Sequence, residues 1–305
     1  MDAPMDPEEV EAAGAPVSGE IAAETTVGAV HLTVTDLARS LDYYRQAIGL
    51  TVLEESEDKA VLGVGSSGGD SRELLALYEN RDATPGRGYS GLYHFALLLP
   101  ERHDLARWLA HAARDRVPMT GMSDHFVSEA LYLQDPDNHG IEIYWDRPRE
   151  VWEGQVQERM TTVALDVDDL LGELVDPATE PFEGMPEGTI MGHVHLRVAR
   201  LPETIAFYRD VIGFGLMAEY GAQAAFFSAG GYHHHLGANS WESAGVEVAP
   251  DTAAALRYAT VLLPDDAARQ SVIDRVIAMG QTPEGTPDGP IVRDPSGNGL
   301  LLALA

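Results

Sequence analysis

Val30-His31-Leu32-Thr33-Val34 and Val194-His195-Leu196-Arg197-Val198 are one pattern written twice, and the fold is decided by how that pattern continues. Each copy alternates apolar and polar residues with the period of two that a half-buried strand needs. Each then changes to a helical period. Leu37, Leu41, Tyr44 and Ile48 fall on one face in the first copy, and Leu201, Ile205, Tyr208 and Ile212 do so in the second. Tyr44-Arg45 recurs as Tyr208-Arg209, and Gly49 and Gly213 stand where a left-handed residue would end the helix.

Each half holds a second unit of the same kind. Tyr93 to Pro100 reads as a strand followed by a helix through Leu105, Trp108 and Leu109; Tyr258 to Pro264 reads likewise, followed by Val272, Val276 and Ile277. Both units close on short strands around turns, Asp135-Pro136-Asp137-Asn138-His139-Gly140 before Ile141–Trp145 and Asp294-Pro295-Ser296-Gly297-Asn298-Gly299 before Leu300–Leu304. The pattern predicts an α+β chain of four βαβββ modules. It places a disordered acidic tail at residues 1–26, one domain at 27–147, a linker with at most one short helix or strand at 148–188, and a second domain at 189–305.

The strand-borne histidines, the Tyr-Arg pairs, Gly91-Leu92-Tyr93-His94-Phe95-Ala96 and Tyr132-Leu133-Gln134-Asp135-Pro136-Asp137-Asn138-His139-Gly140-Ile141-Glu142-Ile143-Tyr144 together resemble the vicinal oxygen chelate superfamily of glyoxalases, bleomycin-resistance proteins and extradiol dioxygenases. Within it the chain is most similar to two-domain catechol 2,3-dioxygenases. The resemblance implies that modules pair into two cupped open barrels and that a divalent metal is held by two strand histidines and a glutamate. Carried onto this sequence, the implied ligands are His31, His94 and Glu142, in the N-terminal half. The matching positions of the other half are His195, Tyr258 and Leu301, so that half is expected to be structural. Two imidazoles and one carboxylate on one face leave three positions of Fe(II) open, enough for a chelating diol and dioxygen; Mn(II) is the alternative metal.

The resemblance also implies two residues that act on substrate. Tyr132 stands ten residues before Glu142, where the family carries a tyrosine that hydrogen-bonds the catecholate. His125 resembles its acid-base histidine, although it lies about two residues closer to the tyrosine than in the family pattern. An imidazole titrates near neutrality and can take and return a catechol proton. Extradiol cleavage of a small aromatic diol with O2 is the first expectation. A glyoxalase- or epimerase-like reaction is the second, with Glu73 or Glu79 as a fourth ligand, and a binding protein of the bleomycin-resistance type is the third. His233-His234-His235 raises a further alternative, in which His233 and His235 join His195 at a second metal site or simply bond to backbone.

Composition narrows the partners. With no cysteine, any metal must be held by His, Asp or Glu. Forty-nine acidic residues against 20 basic ones, of which only Lys59 is lysine, give a net charge of −29, which repels nucleic acid and anionic membranes. Such a chain also repels itself unless salt screens it, so a halophilic source and a melting temperature that rises with KCl are expected. No apolar run nears the roughly 20 residues that span a bilayer, and the acidic start is unlike a signal peptide, so a cytoplasmic protein is expected. Homo-oligomerisation is left open.

Overall fold

A computed structural model describes residues 19–65, 71–176 and 180–305. Four modules are present. The first comprises β1 (Thr26–Val34), α1 (Leu37–Tyr43), β2 (Thr51–Glu55), β3 (Lys59–Gly65) and β4 (Ser71–Glu79). The second has β5 (Gly91–Leu98), α2 (Arg102–Asp115), β6 (Gly121–Asp124), β7 (Ser128–Gln134) and β8 (Gly140–Asp146). Between the halves run three short helices, α3 (Arg149–Trp152), α4 (Val156–Arg159) and α5 (Val167–Leu171). The third module comprises β9 (Ile190–Arg197), α6 (Leu201–Ala206), β10 (Gly215–Tyr220), β11 (Ala224–Ser228) and β12 (Leu236–Asn239). The fourth has β13 (Leu256–Leu263), α7 (Asp266–Ala278), β14 (Glu284–Thr286), β15 (Gly289–Arg293) and β16 (Gly299–Leu304).

The repeat extends to helix chemistry. Both α1 and α6 widen into a π-turn, at Tyr44–Ile48 and Phe207–Ile212, and both end on a glycine in the left-handed region, Gly49 at φ 93° and Gly213 at φ 97°. There a side chain would be strained. The buried hydroxyl of Tyr44 donates to Asp135 in the turn of the second module, and that of Tyr208 donates to Asp294 in the turn of the fourth, each at 3.0 Å. These bonds tie the two modules of each half together.

The sheets are joined differently. One has the order β14-β15-β16-β13-β1-β4-β3-β2, uniting the fourth module with the first. The other has β6-β7-β8-β5-β9-β12-β11-β10, uniting the second with the third, with Val163–Ala164 added at the β6 edge. In each, the first strands of two modules meet antiparallel at the centre: His31 lies opposite Tyr258, and His94 opposite His195. Two cupped sheets therefore form as expected, but each takes one module from each half. The division at 27–147 and 189–305 describes the repeat rather than the barrels. A single apolar core runs through both sheets, including Val30, Phe95, Val194 and Ala259 from the four central strands.

Two boundaries also differ. Residues 148–188 carry three helices and a two-residue strand where one element was expected; Trp152 and Val156 are buried against Phe226 of β11 and Val127, which accounts for the order. Of the expected tail, residues 1–18 lie outside the described residues. Residues 19–25 are held in place, with Ile21 buried and its amide donating to the Gly213 carbonyl.

Candidate metal centre

Strand alternation brings the donors together. His94 on β5, Glu142 on the parallel neighbour β8 and His193 on the antiparallel neighbour β9 all point into the cup of the second sheet. His94 Nε2 lies 3.0 Å and His193 Nε2 3.2 Å from Glu142 Oε2, and the two imidazole nitrogens are 3.3 Å apart. It is the only group of three or more such ligands among the described residues, and all three are buried. Cis ligands at about 2.1 Å from a common ion are separated by about 3 Å, so the spacing fits an octahedral face. Two imidazole nitrogens and one carboxylate oxygen, all from buried residues, form a donor set that could hold a divalent cation. Burial alone would raise the Glu142 carboxyl, but His193 and then His94 outweigh it and hold the group well below the ordinary carboxylate range.

Of the three ligands expected from sequence, His94 and Glu142 come together and His31 does not. His31 lies on β1 in the other sheet, its Nδ1 3.0 Å from the Tyr78 hydroxyl and its ring stacked on Tyr258 at 4.1 Å. The reason is the exchange of modules between sheets: β5 meets β9, not β1. The centre is thus shared between the halves, and the C-terminal half contributes to it. Sequence reasoning passed over His193, although the run His193-Val194-His195 announces two imidazoles on one strand face. His195 is the register counterpart of His94, but its Nε2 accepts from the Asn239 amide at 2.9 Å.

The register also says why the carboxylate stands at one place only. Ala96, two residues after His94, pairs with Glu142; the equivalent pairs are Thr33 with Tyr78, Arg197 with Asn239 and Thr260 with Leu301. Glu73 and Glu79, weighed above as a fourth ligand, are both on β4 of the first sheet, and Glu79 is engaged by Arg81 and the Leu37 amide. The three consecutive histidines lie in the turn before β12, not on a strand. His233 Nε2 is 2.8 Å from Asp146, and His235 Nδ1 accepts from the Ala229 amide. Only His234 faces the cavity, its ring 4.1 Å from that of His193.

The donors stand in a cavity of about 580 Å³, which Tyr132 and His125 also line. Their geometry fixes a proton arrangement. His125 Nδ1 lies 2.7 Å from the Thr161 carbonyl, which can only accept, so that nitrogen carries the hydrogen and Nε2 is free to accept from the Tyr132 hydroxyl at 2.7 Å. Burial, and then the charge of Glu142, push the Tyr132 phenol well above its usual range. Next to His125, Phe126 sits at φ 68°, an unfavourable conformation for an aromatic residue. It is held by its backbone N–H, which donates to the Asp124 carboxylate, and by the Arg147–Asp124 ion pair at 2.7 Å. The far wall is aromatic: Tyr93, Phe226 and Trp241.

The family described as the Glyoxalase/Bleomycin resistance protein/Dioxygenase superfamily matches residues 26–143 and 190–302. A catechol-2,3-dioxygenase of Bacillus subtilis (strain 168) is 43% identical over 277 residues, covering 89% of this chain and 94% of that protein. A crystal structure of a candidate dioxygenase from Bacillus subtilis subsp. subtilis str. 168 superposes with a TM-score of 0.61 at 17% identity, covering 92% of this chain and 85% of that one. Glyoxalase I from Zea mays gives 0.53 at 17% identity over 92% of each chain, so the fold is shared across different chemistries.

Proposed function

Because the chain belongs to the glyoxalase, bleomycin resistance protein and dioxygenase superfamily, we propose that it is an extradiol dioxygenase, opening a catechol-type ring with O2 at an Fe(II) held by His94, His193 and Glu142. The observation that carries the reading is the convergence of those three donors within 3.0–3.3 Å at the cavity wall. Such a face suits non-heme iron, with Mn(II) as the substitute. When bound, the metal supplies chelation of the two phenolic oxygens and the redox link between ring and O2.

The residues do the rest. A diol placed at the donors sits beside the Tyr132 hydroxyl, which hydrogen-bonds one of its oxygens. His125 Nε2 accepts that oxygen's proton through the tyrosine and returns it when the ring opens; its Nδ1, anchored on Thr161, keeps the ring in the accepting tautomer. Glu142 stays ionised throughout, because its imidazole partners favour the charge. Tyr93, Phe226 and Trp241 offer aromatic faces for the ring to pack against. A glyoxalase-like reaction lacks its fourth carboxylate here, since Asn239 holds the corresponding position.

No helix among the described residues is long and apolar enough to cross a membrane. The test is anaerobic loading with Fe(II), followed by catechol and air. Stoichiometric O2 uptake with a yellow ring-opened product is expected, and loading with Mn(II) in parallel distinguishes the metals. No uptake with any of several catechols would reject the assignment.

A further inference from the structure

β9 presents three residues of one face to the cavity in succession: His193, His195 and Arg197. Arg197 is the only arginine or lysine lining the cavity among the described residues. Its guanidinium makes no hydrogen bond there. Nε is buried without a partner, and the nearest carboxylate oxygen, on Glu242, is 3.9 Å away on a side chain that is 70% exposed. A hydrogen bond is not made at that distance. The guanidinium instead lies 5.8 Å from the centre of the Tyr93 ring, leaving its hydrogen-bonding fork uncommitted.

A buried guanidinium nitrogen without a hydrogen-bond partner is costly to leave unfilled, and Glu242, which also lines the cavity, stands too far off to fill it. In a protein of net charge −29, a local cation that offsets the long-range repulsion favours a carboxylated substrate. The geometry supplies a route for one. His193 and Arg197 are four residues apart on an extended strand, about 13 Å along it. Tyr93 links the two ends, its ring 5.4 Å from that of His94 and 5.8 Å from the Arg197 guanidinium, so an aromatic ring held at the donors can present a substituent to Arg197.

We propose that the ring-cleavage substrate carries a carboxylate, on the ring or on a short side chain, and that Arg197 is the residue that selects it. The proposal rests on the reading of the site as a catechol dioxygenase, and its test separates the two. Calorimetric titration of the metal-loaded protein under nitrogen compares 3,4-dihydroxybenzoate and 3-(3,4-dihydroxyphenyl)propanoate with their methyl esters, while O2 uptake is recorded separately. One charge-assisted contact predicts that at least one acid binds about 10- to 100-fold more tightly than its ester. In Arg197→Gln that preference falls towards one, and Arg197→Lys, which keeps the charge without the planar fork, retains part of it. Circular dichroism checks that both variants fold. Acids that bind no better than their esters, or a preference that survives in Arg197→Gln, would overturn the proposal. Absence of O2 uptake with every probe would instead reject the dioxygenase assignment, and the acid-to-ester ratio would still decide the role of Arg197.

Discussion

The two central seams are built alike and filled in opposite ways. In the second sheet, His94 and His193 face the buried Glu142, and three donor atoms converge around a negative charge. In the first, His31 stacks on Tyr258 and bonds to Tyr78, and Arg257 lies 4.2 Å and Lys59 5.4 Å from the centre of the Tyr78 ring. Burial first, and then those two positive charges, lower the His31 pKa to about 4. An imidazole there stays neutral, yet its surroundings repel a metal ion. Two positions separate a chelating site from a packed one: the first sheet has Tyr78 where the second has Glu142, and Leu256 where the second has His193. The scaffold thus offers a seam twice, and chemistry is installed at one of them by a carboxylate and an imidazole that the other lacks.

The contrast is broken most directly by removing donors. Glu142→Ala or His193→Ala is expected to lose the metal and fall to background turnover, whereas His31→Ala keeps its full metal content; metal analysis by mass spectrometry decides, and metal loss in the His31 variant would erase the distinction. Next come the proton groups. Tyr132→Phe and His125→Gln are expected to lower kcat by about 10²- to 10⁴-fold while retaining metal, measured by O2 uptake.

The seams should also differ in their response to acid. The His31 pKa is depressed from 6.5 to about 4, so the unfolded chain takes up a proton between those values and the folded one does not. Stability from this residue is complete above pH 6.5 and is lost as the pH falls towards 4, by at most about 3 kcal/mol. Urea melts of His31→Gln should show a shallower acid limb than the parent; an unchanged limb would remove His31 as its source. The smallest effect belongs to Tyr78→Phe, which deletes one hydrogen bond and should cost about 1 kcal/mol in the same melts without altering turnover.

Much of this was legible in the sequence because it is local. The period-two strands, the helix faces, Gly49 and Gly213, and the Asp135 and Asp294 turns each declare themselves within a dozen residues. His94, Glu142, Tyr132 and His125 were implied by the family resemblance of one module's motifs, and the structure gathers all four around one cavity. His193 did not follow, because alternation specifies which face a residue takes but not which strand it will face. Pairing of β5 with β9 depends on packing at a distance: Gly192 on β9 has no side chain where the Tyr144 hydroxyl of β8 comes in, and a Cβ there would collide with it. The turns gave the opposite hint, since Tyr44–Asp135 and Tyr208–Asp294 do join neighbours within each half.

The exchange of modules makes the architecture nested: the second sheet is encoded by an unbroken run from β5 to β12, enclosed between the two parts of the first. The seam partners His94 and His193 are separated by 99 positions, while His31 and Tyr258 sit at opposite ends of the chain. Closing the longer loop costs only about 0.6 kcal/mol for each doubling of length, so the difference hardly touches equilibrium stability. On the ribosome it imposes a sequence of events. β1 emerges first and must wait for β13, the last module's opening strand, before its edge is covered, whereas the catalytic sheet has all its strands once Asn239 has left the exit tunnel. A nascent chain stalled just beyond that point is expected to retain metal while its first module is still unpaired, a test open to pulldown of stalled ribosomes.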